Sequence, residues 1–228
     1  MFWKIIKIIF ALTFSFVIGS VLLVVFYKFI PPPVTPVMII RVFESVIEGE
    51  PVGINKTWKS YDEISPNFFR AAISGEDGRF MSHEGVDWKA VEDAKRYNEI
   101  HKGKKKRGAS TITMQTAKNA FLWHGRNYFR KALEVYYTYL IEIIWGKKRI
   151  LEIYANIVEL GPGIYGVEAA ANQFFHKSAK DLSKREAALI ASVLPNPRLW
   201  SPDKPTPYLE KRVAFIMGRM GGIGVPRK

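Results

Sequence analysis

A long apolar segment near the start of the chain constrains the fold most. Residues 8–27 carry no charged side chain and consist mainly of Ile, Leu, Val and Phe. As a helix this segment would extend roughly 30 Å, which matches the hydrocarbon core of a bilayer. A cleaved signal peptide is the alternative, but its apolar region is usually shorter, and prolines at 31–33 stand where a small-residue cleavage site would be expected. We therefore predict an uncleaved transmembrane anchor within residues 1–30.

The distribution of charge predicts where the rest of the chain lies. Lys4 and Lys7 precede the apolar segment and only Lys28 follows it closely. We therefore expect a single pass through the inner (cytoplasmic) membrane, with the N-terminus in the cytoplasm and the domain in the periplasm or otherwise outside. The absence of cysteine is compatible with that location.

A strong excess of basic residues indicates an anionic partner. The net charge is +13, and because the anchor holds three lysines and no acid, residues 31–228 carry +10. Membrane lipids with anionic headgroups or a phosphorylated substrate would suit such a domain. No nucleic acid is expected, because the sequence has no helix-turn-helix, zinc or RNA-recognition pattern.

Beyond the anchor, the sequence predicts one helical domain over residues 37–228, preceded by a proline-rich linker at 31–36. Residues 37–47 are apolar, and they suit an amphipathic core helix or a helix that rests against the bilayer about equally. Capping and spacing signals predict further helices over residues 66–76, 127–145, 148–158, 166–175, 186–194 and 208–220. Alternating strand patterns are nearly absent, so the expected class is all-α.

Two polar blocks carry most of the information about chemistry. Residues 76–87 place carboxylate, imidazole and guanidinium groups around two glycines, and residues 108–119 are rich in hydroxyl and amide groups. Neither block is needed to build a core, since apolar residues would serve there. The four histidines are scattered and show no metal-binding spacing. Residues 102–107 hold five basic side chains in six and are expected to form a solvated loop.

Glu76 is the first candidate for catalysis. It follows Ala72 and Ile73 on the inward face of the helix predicted over residues 66–76, so its carboxylate would point toward apolar surroundings. Burial there would raise its pKa into the range useful for proton transfer. From the residues alone, a structural carboxylate neutralised by Arg79 is an equal alternative.

Two further acids have simple structural interpretations. Arg130 stands four residues before Glu134, the spacing of a routine helical ion pair. Lys148 has the same relation to Glu152, which we therefore expect to be a structural pair. Neither acid would be chosen as catalytic from its spacing alone.

Four motifs in order resemble the signature of the family 51 glycosyltransferases, which polymerise peptidoglycan. The two polar blocks are followed by Arg-Lys-Ala-Leu-Glu at 130–134 and by Lys-Arg-Ile-Leu-Glu-Ile-Tyr-Ala-Asn at 148–156. Together they extend over most of residues 60–200. The resemblance implies a lysozyme-like catalytic domain with a membrane-proximal subdomain. Met114 departs from the pattern, since many relatives carry a second glutamine there.

The resemblance implies roles for particular residues. Glu76 would be the general base and Glu134 the second functional acid, while Lys118 and Arg126 would contact a pyrophosphate. The implied substrate-binding residues are Ser110, Thr111, Gln115, Lys118, Arg126, Arg130 and Lys131.

The reaction implied by the resemblance joins lipid II to a growing glycan strand and releases undecaprenyl pyrophosphate. No cofactor is expected, although a divalent cation could assist the pyrophosphate. Cell-wall synthesis or division proteins could be partners, and no transpeptidase domain is expected. Two alternatives stay open: a lysozyme-like hydrolase or lytic transglycosylase, which shares the fold, and a basic membrane-anchored scaffold without chemistry.

Overall fold

The computed structural model describes residues 1–102, 107–125 and 127–226. The helices found there are α1 (Phe2–Phe29), α2 (Pro36–Ile47), α3 (Pro66–Glu76), α4 (Trp88–Ile100), α5 (Ile112–Phe121), α6 (Tyr128–Ile157), α7 (Val167–Phe175), α8 (Lys184–Val193) and α9 (Pro207–Met220). The all-α class and the lysozyme-like domain are confirmed.

A small sheet accompanies the helices and was not predicted. Its strands are β1 (Asn55–Lys56), β2 (Glu159–Gly161) and β3 (Ile164–Tyr165), in the order β1-β3-β2. β3 pairs in parallel with β1 and antiparallel with β2. Strands of two or three residues are too short to show an alternating pattern, so they could not be predicted.

The apolar helix α1 is the predicted anchor. It has 28 residues and a mean hydropathy of 2.7, so it is long and apolar enough to cross a membrane. Its C-terminal half packs along α6, where the Ser20 and Tyr136 hydroxyls lie 2.7 Å apart and the Trp145 indole donates to the carbonyl of Val24 at 2.7 Å. The domain is therefore held against the anchor by specific polar contacts as well as by apolar packing.

The helix α2 begins at Pro36, so the last residue of the expected linker is the first of the helix. Thr35 caps it by accepting a hydrogen bond from the amide of Met38. Val37 and Met38 are buried, whereas Phe43 and other apolar side chains of this helix are exposed. The helix thus has one side that packs in the core and one exposed apolar side. The core-helix interpretation of residues 37–47 accounts for the first side, and the bilayer interpretation accounts for the second.

The core divides into two packed groups that meet at the site. In one group α3 packs against α8 and α9, and in the other α5 packs against α6. Helix α3 has the bounds that its cap and proline predicted, while α7, α8 and α9 start or end within two residues of the predicted limits. Helices α4 and α5 were not predicted.

Helix α6 replaces the two helices predicted over residues 127–145 and 148–158. One element runs from Tyr128 to Ile157, but Gly146 interrupts it with φ 71° and ψ 167°, a conformation that favours glycine. Lys147 donates to Glu142 Oε1 and to the carbonyl of His83, each at 2.6 Å. The interruption is therefore braced against the loop that follows α3.

One predicted ion pair is wrong. Glu152 pairs with Arg149, whereas Lys148 lies 3.5 Å from Asp62. Glu152 is still a structural acid, as expected, but its partner is the residue three positions earlier.

Candidate active site

Glu76 ends α3 and faces a cleft. Ser65 caps the first turn and Pro66 follows it, while buried Phe69, Ala72 and Ile73 fix the inward face of the helix. The carboxylate therefore lies at the border between the core and the cleft, with a side-chain exposure of 14%. This confirms the orientation that the helical spacing predicted.

Two side chains from distant parts of the chain hold the Glu76 carboxylate. Arg212 Nη2 donates to Oε1 at 2.6 Å, and Gln115 Nε2 donates to Oε2 at 3.0 Å. The Tyr154 hydroxyl in turn donates to Gln115 Oε1 at 3.3 Å. Burial raises the pKa of Glu76, while the hydrogen bond from Gln115 and the charge of Arg212 oppose that rise. A carboxylate in this environment is suited to accept a proton near neutral pH.

Arg79 is not the partner of Glu76, so that alternative is wrong. Arg79 forms two hydrogen bonds with Asp87, at 2.8 and 2.9 Å. Asp87 also caps α4 by accepting from the amide of Ala90. The Arg79–Asp87 pair therefore stabilises the loop between α3 and α4, and the cation that binds Glu76 is Arg212.

The loop after α3 is tied to the start of α5 through Asp77. His83 Nε2 lies 3.0 Å from both carboxylate oxygens of Asp77, and the amide of Ile112 donates to Oδ2 at 3.0 Å. Thr111 caps α5 and donates its hydroxyl to the carbonyl of Gly85. His83 and Thr111 therefore help to hold this loop in place.

Glu134 is buried on α6 between two cations. Arg130 and Lys131 both form ion pairs with it, the second at 2.6 Å. Arg130 is itself buried and also donates to the carbonyl of Gly125 at 2.7 Å. The pairing of Arg130 with Glu134 was predicted from their spacing, and the second cation adds to it.

Two adjoining cavities bring the candidate residues together. The larger, about 750 Å³, is lined by Glu76, Ser110, Thr111, Gln115 and Arg212, among others. The smaller, about 280 Å³, is lined by Ser110, Gln115, Lys118, His124, Gly125, Arg130, Lys131 and Glu134. Ser110 and Gln115 line both cavities, so the two acids face neighbouring compartments of one site.

Most of the predicted binding residues line this site. Ser110 lies 3.4 Å from Lys131 Nζ, and burial lowers the pKa of Lys118, against the charge of Glu134. Thr111 lines the larger cavity, but its hydroxyl is already used by backbone groups. Arg126 lies outside the described residues, as do residues 103–106 of the basic loop.

Arg212 is the functional residue that sequence reasoning missed. It stands 136 positions from Glu76, in the last predicted helix, whose expected end was marked by the glycines at 221–222. The signal present in the sequence was a basic residue within that helix, which is too common to single out. Only the packing of α9 against α3 identifies it.

A resident metal has no obvious ligands in the described ranges. No group of three or more His, Asp or Glu side chains could hold one there. Asp77 and Asp87, which line the larger cavity, are already engaged with His83 and Arg79. The divalent cation considered above stays a prediction and would have to be held mainly by a substrate pyrophosphate.

The fold and the site together define a class of protein. A helical, lysozyme-like domain follows a helix that is long and apolar enough to cross a membrane, and its cleft holds a largely buried acid with a raised pKa beside a cationic compartment with a second acid. These are the parts of an enzyme that transfers glycosyl groups.

Comparison with known proteins identifies the family. The transglycosylase family model matches residues 44–221. A biosynthetic peptidoglycan transglycosylase of Bdellovibrio bacteriovorus is 50% identical over 205 residues, which cover 90% of this chain and 81% of the relative. Proteins of the same name from Rhodospirillum centenum and Haemophilus influenzae are 52% identical over 88% of the chain and 47% over 92%, covering 84% and 85% of those relatives.

The chain therefore belongs to the transglycosylase family. The resemblance found in the four motifs is confirmed, and so is the prediction of a glycosyltransferase of cell-wall biosynthesis.

Proposed function

We propose that this enzyme polymerises lipid II into peptidoglycan glycan strands and releases undecaprenyl pyrophosphate. The observation that carries the proposal is the buried carboxylate of Glu76 at a cleft that adjoins the compartment of Lys118 and Glu134. One compartment would take the acceptor and the other the activated donor. The names of the relatives point to the same polymer.

Glu76 would act on the acceptor. Its carboxylate takes the proton from the 4-hydroxyl of the terminal N-acetylglucosamine, and that oxygen attacks the anomeric carbon of the donor's N-acetylmuramic acid. The bond from this carbon to the pyrophosphate oxygen breaks, and the electron pair leaves with the lipid pyrophosphate. Attack opposite the leaving group inverts the linkage from α to β. The proton then passes from Glu76 to solvent.

The smaller cavity would take the donor. Lys118 is largely buried there, close enough to Glu134 for that charge to favour the protonated amine. A cation at this point would stabilise the negative charge that develops on the departing pyrophosphate. Glu134, held by Arg130 and Lys131, would orient the donor. Arg126 would be a second pyrophosphate contact, from its position in the motif.

The membrane arrangement follows from the same substrate. With α1 crossing the inner membrane and its N-terminus in the cytoplasm, the cleft would open on the outer side, where a lipid-linked sugar is presented. The exposed apolar side of α2 would rest on the bilayer beside the anchor. Other cell-wall synthesis or division proteins would be partners at this surface.

The test is polymerisation by the purified full-length protein in detergent or lipid vesicles. Labelled lipid II should give long strands, with one undecaprenyl pyrophosphate released for each bond formed. A lipid II whose 4-hydroxyl is blocked should give no product when supplied alone, because it can serve only as a donor. Shortening of preformed strands without growth would instead indicate a hydrolase, and no change at all would indicate a scaffold.

A further inference from the structure

One face of α9 borders the larger cavity. Arg212, Phe215 and Arg219 stand at positions i, i+3 and i+7 of this helix, so they form one stripe, and all three line the cleft. Arg212 contacts Glu76, as described above.

Phe215 does not belong to the core. It is 53% exposed, whereas Val213 and Ile216 beside it are buried and provide the packing of α9. Its ring lies 5.0 Å from the guanidinium carbon of Arg219. The ring is therefore oriented by a cation and presents an open apolar surface to a cleft that is otherwise lined mainly by polar and charged side chains.

Arg219 is an exposed cation at the far end of the stripe. No acidic partner is found for it among residues 1–102, 107–125 and 127–226. Its guanidinium lies close to the loop that carries Asp77 and Arg79, since a Cβ at Gly78 would lie 2.7 Å from Arg219 Nη2.

We propose that Phe215 and Arg219 bind the acceptor. Phe215 stacks on the face of a sugar ring whose neighbouring hydroxyl reaches Glu76, and Arg219 pairs with the phosphate at the reducing end of the acceptor disaccharide. This rests on the proposed function and assigns one face of that site.

The order of the groups along α9 supports this assignment. At about 1.5 Å of rise per residue, Phe215 lies about 4.5 Å and Arg219 about 10.5 Å beyond Arg212 along the helix axis. In the acceptor, the reacting hydroxyl, the sugar rings and the phosphate follow one another in the same order. An arginine fork suits phosphate oxygens, and an aromatic ring suits the apolar face of a sugar.

The inference is specific to the acceptor, because the stripe adjoins Glu76 and does not line the cavity of Lys118 and Glu134. It is tested with a saturating donor whose 4-hydroxyl is blocked and with ordinary labelled lipid II as the varied acceptor. Formation of the tetrasaccharide is followed at early times. The variants are Phe215→Ala and Arg219→Ala in the full-length protein, together with Phe215→Tyr, which keeps the ring.

Two exposed residues of the same helix that do not line the cleft provide matched controls. Met217→Ala is compared with Phe215→Ala, and Lys211→Ala with Arg219→Ala. We expect each cleft variant to raise the KM for the acceptor about tenfold, the equilibrium factor for about 1.4 kcal/mol. The KM for the donor should stay within about twofold of the wild type. Both controls should behave as the wild type, and Phe215→Tyr should raise the KM for the acceptor less than Phe215→Ala does.

The outcomes separate this inference from the proposed function. If the wild-type enzyme polymerises lipid II but both cleft variants match their controls, the acceptor assignment is wrong. A rise confined to the KM for the donor would also overturn it. If the wild-type enzyme forms no product, the proposed function itself fails. Thermal unfolding of each variant shows whether a change in rate reflects loss of the fold.

Discussion

The surroundings of Glu76 and Glu134 differ although both are largely buried glutamates of one site. Glu76 ends its helix, borders a cleft of about 750 Å³ and has one cation, Arg212, beside it. Glu134 lies within a long helix and has two cations, Arg130 and Lys131. For Glu76, the desolvation of the carboxylate outweighs the effect of its single cation. For Glu134, cations pair with the carboxylate from two sides.

Because of this difference, two residues of the same type can take two roles in one site. Desolvation disfavours the charged carboxylate, so it raises the pKa of Glu76 and prepares that group to accept a proton. Glu134 instead forms ion pairs with two flanking cations, which hold its side chain in place. Pairs of acids with contrasting environments are a recurrent feature of enzymes that act on glycosidic bonds.

The largest expected effect is the loss of the proton acceptor. Glu76→Gln keeps the size of the side chain but removes its basicity, so polymerisation should fall by about 10²- to 10⁴-fold. Its melting temperature should change little, because Arg212 remains partly exposed to the cleft. Initial rates on lipid II and thermal unfolding measure the two quantities. Glu210→Gln, an exposed acid paired with Arg185, is the matched control, and a rate equal to that control would refute the role of Glu76.

A somewhat smaller effect is expected at the cation of the donor compartment. Lys118→Ala should lower the rate by about 10²- to 10³-fold, since one group that stabilises developing charge is removed. Lys118→Arg should retain more activity because the charge remains. Lys184→Ala, at an exposed lysine, gives the background. Equal rates for Lys118→Ala and Lys184→Ala would remove Lys118 from the mechanism.

We expect Glu134→Gln to lower the free energy of unfolding, whereas Glu76→Gln should change it little. Glu134→Gln leaves the buried guanidinium of Arg130 without its anion, and breaking such a pair costs up to about 3–5 kcal/mol. Glu44→Gln, at a more exposed ion pair with Arg41, should cost about 1 kcal/mol or less. Denaturant unfolding of the three variants gives the free energies of unfolding. If Glu134→Gln is as stable as Glu76→Gln, the proposed difference between the two glutamates is wrong.

Helices that begin with a capping residue, a capping box or a first-turn proline were predicted from the sequence. Ser65 and Pro66 mark the start of α3, and the capping box of Ser183 and Glu186 marks α8, so both were found within two residues. Helix α5 was missed because Thr113 and Thr116 are polar but buried, which hides its inward face from any apolar pattern. Helix α4 was missed because six of its 13 residues are charged and it buries little apolar surface.

Local spacing along the helices also predicted part of the site. The spacing of Phe69, Ala72 and Ile73 was enough to orient Glu76, and an interval of four residues was enough to pair Arg130 with Glu134. The partner of Glu76 could not be found in this way, because Arg212 reaches it only through the packing of α9 on α3. Sequence spacing instead suggested Arg79, which binds Asp87.

The pH dependence of the rate is the most direct test of whether Glu76 is the proton acceptor. If Glu76 must be deprotonated to act, the rate falls as the pH falls through its pKa, which burial raises above the ordinary value of 4.5. Because Arg212 favours the charged form, Arg212→Gln should raise that pKa further and move the acid limb of the profile to higher pH. Arg185→Gln, at a surface ion pair, should leave the limb in place. An acid limb that does not move in Arg212→Gln, or one that lies at or below the ordinary pKa in the wild-type enzyme, would contradict the assignment of Glu76 as the proton acceptor.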